Sequence, residues 1–191
     1  MAKYAIEAES LTAIADAVRE KAGGTDKLTP AQMASAIKGI EGGDSTDTLV
    51  EYLCGNYTDI VDEKTTTLPA YIFGWSAVLT SYTGKNVTTL GSNCFRSNTS
   101  VTKIDFYKSI TYISSALCYG ASALTTLILR GDTVTNLTVT NAFTNTPIAN
   151  GTGYIYVPSA LVEDYKAATN WTTYAAQIRA IEDYPDICGE T

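Results

Sequence analysis

Few side chains in this 191-residue chain could perform covalent chemistry, because it contains four cysteines and no histidine. Without histidine, neither a serine nor a cysteine nucleophile has its usual imidazole base. Three pairs of adjacent acids remain as candidates for acid–base catalysis: Asp62–Glu63, Glu163–Asp164 and Glu182–Asp183. Adjacent acids in a strand or helix point in different directions, whereas such catalysis needs converging groups with shifted pKa values. We therefore expect solvated surface carboxylates, no catalytic residues and no enzyme activity.

Metal and cofactor sites are not expected either. The cysteines, Cys54, Cys94, Cys118 and Cys188, lack the Cys-x-x-Cys spacing of zinc sites, and no disulfide pairing stands out. The segment "DSTDT" lacks the glycine of an EF-hand loop, and "KAGGTDK" lacks the spacing of a phosphate-binding loop. We expect no metal and no cofactor.

The charge and hydropathy of the chain bear on its partners. The net charge is −7 and the basic residues form no cluster, so we expect no nucleic-acid partner, which would need a basic stripe. No run approaches the roughly 20 apolar residues of a membrane helix, so we expect no membrane insertion. Glu7 and Glu9 fall where a secretion signal would have its apolar run, so we expect no such signal.

A phrase of about 23 residues recurs along the middle of the chain. Three columns keep this period: Leu68, Leu90, Ile113 and Leu137; Phe73, Phe95, Cys118 and Phe143; and Val78, Val101 and Leu124. Within a repeat, apolar residues alternate with polar ones, as Ile104 and Phe106 do in "TKIDFY", which indicates a half-buried strand. Such strands cannot bury their apolar faces alone, so the repeats are predicted to stack into a solenoid.

The phrase "LGSNCFRSNTSVTKIDF" resembles the leucine-rich repeats of the BspA-like type. The resemblance extends over residues 52–158, with Cys118 in place of the usual phenylalanine. It implies a mainly β protein built on a short leucine-rich-repeat solenoid. Function is not fixed by this resemblance.

The outward positions of the predicted strands are rich in tyrosine and carry both signs of charge. Tyrosine offers a stacking face and a polar tip at low entropic cost, so this face could bind glycan or protein. The alternative is that tyrosine and threonine are there because they favour strands. The candidate ligand-binding residues are Tyr82, Lys103, Asp105, Tyr107, Ile128, Arg130, Tyr154 and Tyr156.

The N-terminal residues 1–42 are predicted to form an α-helical hairpin, followed by a linker at residues 43–51. The segment "ESLTAIADAVREKAGGTDKLTPAQMASAIKGIEG" resembles a segment at the start of tail and other structural proteins of phages and prophages of Firmicutes, where it implies attachment or assembly. A short hairpin needs a packing partner to be stable. Its apolar face supplies the candidate assembly residues Leu11, Ile14, Val18, Met33, Ile37 and Ile40.

Residues 159–191 are predicted to form a C-terminal helical cap and a loose tail. Apolar residues such as Tyr165, Trp171 and Tyr174 could close the open end of the core, as repeat stacks require. The string resembles the usual cap of BspA-like proteins.

Together these features predict a phage virion protein that is tail-associated, fibre-like or capsid-decorating. Its repeats would present a surface for adhesion to a host glycan or protein. Its partners would be other virion proteins and further copies of itself, with a trimer expected from how fibres are usually built. The alternative is a bacterial cell-surface adhesin of the BspA-like class or a stand-alone binding module. The expected location is accordingly the virion, or alternatively the bacterial surface.

Overall fold

The computed structural model describes residues 57–189, which are mainly sheet with parallel strands and few helices. The described strands are β1 (Asp59–Asp62), β2 (Thr67–Leu68), β3 (Ser81–Gly84), β4 (Thr89–Leu90), β5 (Lys103–Phe106), β6 (Tyr112–Ile113), β7 (Thr126–Leu129), β8 (Asn136–Leu137), β9 (Tyr154–Val157) and β10 (Ile178–Ala180). The described α-helices are α1 (Val162–Ala167) and α2 (Pro185–Cys188). Short 3-10 helices cover Thr140–Phe143, Ser159–Leu161, Trp171–Gln177 and Ile181–Asp183.

The longer strands form one six-stranded sheet in the order β1-β3-β5-β7-β9-β10, and each described pair is parallel. Two smaller sheets pair β2 with β4 and β6 with β8. Because Lys103 pairs with Ser81 and Thr126 pairs with Lys103, equivalent positions of successive repeats lie side by side. The predicted mainly β repeat organisation with parallel strands is therefore confirmed.

The core is built from the columns that the period predicts. Leu68, Leu90, Ile113 and Leu137 are all buried, as are Phe73, Phe95, Cys118 and Phe143. The inward strand residues Ile104, Phe106, Leu127 and Leu129 are also buried. Stacking thus buries apolar side chains that no single repeat could cover.

The predicted register is wrong by one residue in the first described repeat. Val78 is 40% exposed, whereas Leu79 is 2% exposed and occupies the buried column with Val101 and Leu124. Tyr82 pairs with Ile104 in the inward row, so the prediction that it faces outward is wrong. Because side chains alternate between faces along a strand, a shift of one residue exchanges the inward and outward sets.

Tyr82 is completely buried and fills this end of the core. Its ring lies 5.1 Å from that of Phe73 and 6.0 Å from that of Phe106, measured between ring centroids. Its hydroxyl donates a hydrogen bond of 2.9 Å to Asp62 Oδ2, and Asp62 also accepts from the backbone N–H of Thr65. Asp62 is therefore a buried structural carboxylate, which corrects the expectation that it is solvated.

The C-terminal cap buries large aromatic side chains against the last repeat. Trp171 is fully buried and its indole N–H donates to the carbonyl of Thr135 at 2.7 Å. The hydroxyl of Tyr174 donates to the carbonyl of Thr140. These polar tips satisfy backbone groups at the end of the stack, where the next repeat would have supplied the partner. Trp171 and Tyr174 are thus buried where the sequence predicts that they would close the core.

Two features of the cap differ from the prediction of helices followed by a loose tail. The cap contributes a strand, β10, which pairs in parallel with β9. The expected loose tail forms α2, and Cys188 within it is only 3% exposed. Through β10 and α2, residues 178–188 therefore lie in or against the large sheet. The N-terminal hairpin and the linker lie outside the described residues, and the domain boundaries stay predictions.

Candidate binding site on the outward sheet face

The outward face of the large sheet consists of two rows of side chains. The first row contains Ser81, Lys103, Thr126 and Tyr154, and all four are partly exposed. The second row contains Thr83, Asp105, Ile128 and Tyr156. Both rows point away from the core because they alternate with the buried row of Ile104. The predicted outward position is correct for Lys103, Asp105, Ile128, Tyr154 and Tyr156.

Much of the second row is nevertheless covered, because residues 181–188, the C-terminal segment, lie over it. Ile128 and Tyr156 form an apolar cluster with Ile181 and Cys188, and each of the four is at most 3% exposed. Tyr184 packs against this cluster with its ring 5.4 Å from that of Tyr156. Most of this surface is therefore an internal contact, which the sequence pattern of the strands did not reveal.

Polar contacts also fix the C-terminal segment to the sheet. Lys103 Nζ donates a hydrogen bond of 2.7 Å to the carbonyl of Ile187. Arg130 Nη2 donates to the carbonyl of Cys188. Two cations of the outward face thus bind main-chain carbonyls at the end of α2, where unpaired carbonyl groups accumulate.

Asp105 and Arg130, both candidate ligand residues, bind each other. Arg130 Nε lies 2.9 Å from Asp105 Oδ1 and Nη2 lies 3.0 Å from Oδ2. Burial alone would lower the pKa of Arg130, but its hydrogen bonds to Asp105 and the charge of that carboxylate raise the pKa overall. Asp105 is 3% exposed, so this pair is a structural element rather than a free recognition group.

Tyr107 lies between two cations at the rim of the face. Lys85 Nζ is 3.4 Å from its ring centroid, and the Arg130 guanidinium carbon is 4.5 Å from the same centroid. Such contacts hold the ring in place through the negative potential of its face. Tyr107 remains 36% exposed, so it stays accessible as predicted.

A cleft lies beside the C-terminal segment, at the end of the outward face. It has a volume of about 420 Å³. Its lining residues are Thr125, Thr126, Thr152, Tyr154, Tyr156, Arg179, Tyr184 and Ile187. The structure therefore brings Tyr154 and Tyr156 together with residues of the cap, and it leaves Lys103, Tyr107 and Arg130 outside this lining.

Of the cleft residues, sequence reasoning named only Tyr154 and Tyr156 as candidates, and the missed residues include three from the cap. Arg179 comes from β10, while Tyr184 and Ile187 come from the C-terminal segment. The guanidinium carbon of Arg179 lies 4.8 Å from the ring centroid of Tyr154. For Tyr184 and Ile187, the sequence offered only a tyrosine and a proline in "EDYPDIC". This segment is too short to predict where it packs.

A second accessible aromatic group lies at the other end of the described repeats. Tyr71 and Trp75 stack with ring centroids 5.5 Å apart and an interplanar angle of 10°, and each ring is about half exposed. Both residues have positive φ, of 63° and 57°. Ser97 and Gly120 occupy the position of Trp75 in the next two repeats. Large side chains in this backbone region are uncommon and occur where the surrounding structure imposes the conformation.

Cys118 is buried, as its column predicts, and Cys94 and Cys188 are buried as well. Cys94, Cys118 and Cys188 are free and buried. Burial raises the pKa of Cys94 to about 12 and raises that of Cys118 well above its ordinary value. Such thiols behave as small apolar groups rather than as nucleophiles. Cys54 lies outside the described residues.

Two further observations concern residues 57–189 alone. No group of three or more acidic, histidine or cysteine side chains there could hold a metal ion. No helix in the same range is both long and apolar enough to cross a membrane. The candidate assembly residues of the hairpin lie outside this range, and so their role stays a prediction.

Comparison with known proteins adds to this geometry. The family model of the BspA-type leucine-rich repeat region matches residues 52–150, with six copies of the repeat. No curated protein and no solved structure matched the chain. The resemblance of residues 9–42 to phage structural proteins gains no support from these comparisons and stays a prediction. The match to the repeats suggests a module for surface binding or adhesion. Because that match covers more than half of the 191 residues, the chain belongs to the BspA-type leucine-rich repeat family.

Proposed function

We propose that this chain is a non-enzymatic adhesion module, a BspA-type solenoid that binds a surface glycan or protein through its outward sheet face. The observation that carries the proposal is the first outward row. Its members Ser81, Lys103, Thr126 and Tyr154 remain partly exposed although the neighbouring row is covered. Hydroxyl groups, one cation and one tyrosine give this row hydrogen-bonding capacity with little apolar surface. Such surfaces recognise polar ligands by many weak contacts.

The acidic side chains of the described residues support a role without catalysis. Asp62 and Asp105 are buried and hydrogen-bonded to structural partners. Glu163, Glu182 and Asp183 are exposed, and Glu182 accepts hydrogen bonds from Ser159.

The finer proposal is that the module is displayed on a phage particle, as a tail-associated, fibre-like or capsid-decorating protein. The phage-like segment at residues 9–42 supports it, and that segment would bind other virion proteins or further copies of the chain. Display in many copies would convert modest single-site affinity into avidity. The alternative carrier is a bacterial cell surface, and the family match to the repeats fits a BspA-like adhesin equally well.

The adhesion proposal is tested with fluorescently labelled full-length protein and intact bacterial cells. Replacing both Ser81 and Thr126 by arginine puts large charged side chains into the first row, and we expect it to abolish attachment. The matched control introduces arginine at Thr89 and Tyr112, which lie in the two small sheets, and it should attach like the wild type. Attachment by the Ser81 and Thr126 double variant equal to that of the wild type would exclude the proposed face.

The proposed display on a phage particle is tested by measuring the mass in solution of the full chain and of a chain that begins at Asp47. A defined oligomer for the full chain and a monomer for the shortened one would make residues 1–46 an assembly element, as the virion proposal requires. Monomers in both cases would favour the stand-alone binding module.

A further inference from the structure

We propose that the cleft beside the C-terminal segment binds a sugar unit that carries a carboxylate. This inference rests on the adhesion function proposed above and assigns it a ligand class and a specific location. It concerns residues from three separate parts of the chain, which meet only in the folded protein.

The cleft has a floor from the sheet and walls from the cap. Thr126, Tyr154 and Tyr156 form the floor, on β7 and β9. Arg179 of β10 forms one wall, and Tyr184 and Ile187 of the C-terminal segment form the other. Since the floor lies on two paired strands and the C-terminal segment is held by hydrogen bonds from Lys103 and Arg130, the cleft is largely preformed.

The lining suits a hydroxyl-rich ring better than a purely apolar ligand. Tyr154 and Tyr184 are partly exposed and offer aromatic faces, and Thr125, Thr126 and Thr152 offer hydroxyl groups. A pyranose ring presents an apolar C–H face and a rim of hydroxyls, which matches this combination. A volume of about 420 Å³ accommodates a sugar unit and part of its neighbour.

The charge of the lining residues favours a sugar that carries a carboxylate over a neutral one. Arg179 is the single charged residue in the lining, and the lining contains no carboxylate. Its Nη1 donates to the carbonyls of Ala176 and Ile178, and its guanidinium carbon lies 4.8 Å from the centroid of the Tyr154 ring. Within the described part of the chain, no hydrogen bond occupies Nε or Nη2 of this side chain. A guanidinium oriented in this way offers its remaining donors to a carboxylate in the planar geometry that arginine prefers.

The test is an NMR titration of the full-length protein with methyl β-D-glucuronide and with N-acetylneuraminic acid. Methyl β-D-glucoside is the neutral comparison. We expect at least one acidic sugar to bind about tenfold more tightly than the glucoside, because charge-assisted hydrogen bonds exceed neutral ones by that order. The Arg179 Nε–H signal should shift during the titration. Equal binding of neutral and acidic sugars, or binding of neither acidic sugar, overturns the inference.

Two variants locate the binding. Arg179→Gln should remove the preference for the acidic sugar, while Arg96→Gln should retain it. Arg96 is a matched control because its guanidinium carbon lies 5.0 Å from the ring centroid of Tyr119, outside the cleft. Retention of the preference in Arg179→Gln overturns the assignment. A chain that ends after Asp183 lacks Tyr184 and Ile187, and it should lose binding while circular dichroism reports an intact sheet. Tighter binding by that shortened chain would show that the C-terminal segment is a cover and not a wall.

These results separate the inference from the proposed function. Attachment to cells without binding of either acidic sugar would refute the cleft and leave the adhesion module standing. Binding of an acidic sugar without attachment to any cell surface would keep the cleft and refute the adhesion role.

Discussion

Arg130 donates two hydrogen bonds to Asp105 and a third to the carbonyl of Cys188. One guanidinium thus joins the strand β5, the end of β7 and the C-terminal segment. Asp105 and Arg130 lie one repeat apart, on the outward face, yet neither is free to bind a ligand. The charged residues that looked most suitable for recognition instead hold the C-terminal segment in place.

The first prediction concerns this ion pair. Asp105→Ala should lower the free energy of unfolding by about 3 kcal/mol, because it leaves Arg130 partly buried without its counter-ion. Urea denaturation followed by circular dichroism measures the change. Glu163→Ala breaks the exposed pair with Lys166 and should change stability by about 0.5 kcal/mol or less. Similar losses in both variants would contradict the structural role of the buried pair.

The second prediction concerns the corrected register. Tyr82→Phe keeps the ring in the core and removes the hydrogen bond to the buried Asp62, so we expect a loss of about 2 kcal/mol. Tyr119→Phe, in which the ring is only partly buried, should be close to neutral. If Tyr82→Phe were also neutral in urea denaturation, Tyr82 would not lie inside the core as described.

The third prediction concerns the close approach of neighbouring repeats at Gly91. A Cβ atom there would lie 2.4 Å from the backbone nitrogen of Ala70, so the two backbones would have to separate. We expect Gly91→Ala to cost about 3 kcal/mol, as overpacking against rigid backbone does. Ser92→Ala, at the next position, should cost far less. Thermal unfolding of the two variants decides the matter, and equal melting temperatures would contradict the described contact.

The fourth prediction concerns alkaline pH. Burial raises the pKa of Cys94 to about 12, whereas a thiol of the unfolded chain ionises near about 8.5. Between these values the unfolded chain has released a proton that the folded chain retains, so stability should fall as the pH rises above about 8.5. Each such thiol contributes a slope of up to about 1.4 kcal/mol per pH unit.

Urea denaturation at pH about 8 and about 10 measures that slope. Cys118 and Cys188 contribute in the same direction, since burial raises the pKa of both. Cys94→Ala should therefore show a shallower slope than the wild type without abolishing it. A wild-type stability that stays constant over this range would mean that the thiols are accessible to solvent in the folded protein.

The sequence predicted the repeat and most of its core because those features are periodic. Ile104 and Phe106 alternate with polar neighbours, Leu127 and Leu129 occupy the same positions one repeat later, and each of the four is buried as expected. In the first described repeat the signal was ambiguous, because Val78 and Leu79 are both apolar and "SYTG" offers no clear apolar set. The ambiguity is resolved only by the folded structure, in which the buried Tyr82 donates a hydrogen bond to Asp62. Asp62 is polar, and strand patterns place such a residue outside a core.

The candidate site was predictable only in part, for a different physical reason. Strand alternation placed Tyr154 and Tyr156 on the outward face, and the structure agrees. What covers that face is decided by contacts between residues far apart in sequence, such as Lys103 with Ile187. No local pattern encodes those contacts, so Arg179 and Tyr184 could not be assigned to a site beforehand.

The parallel pairing of equivalent strands has a consequence for how such chains can change in length. Each described strand of the large sheet pairs with the strands of adjacent repeats, and the cap adds its own strand, β10, beside β9. An additional copy of residues 103–125 inserted before Thr126 would therefore meet the same neighbours that the present repeats meet. The number of repeats would therefore set the distance between the two ends of the stack, and the cleft at the cap would keep its structure.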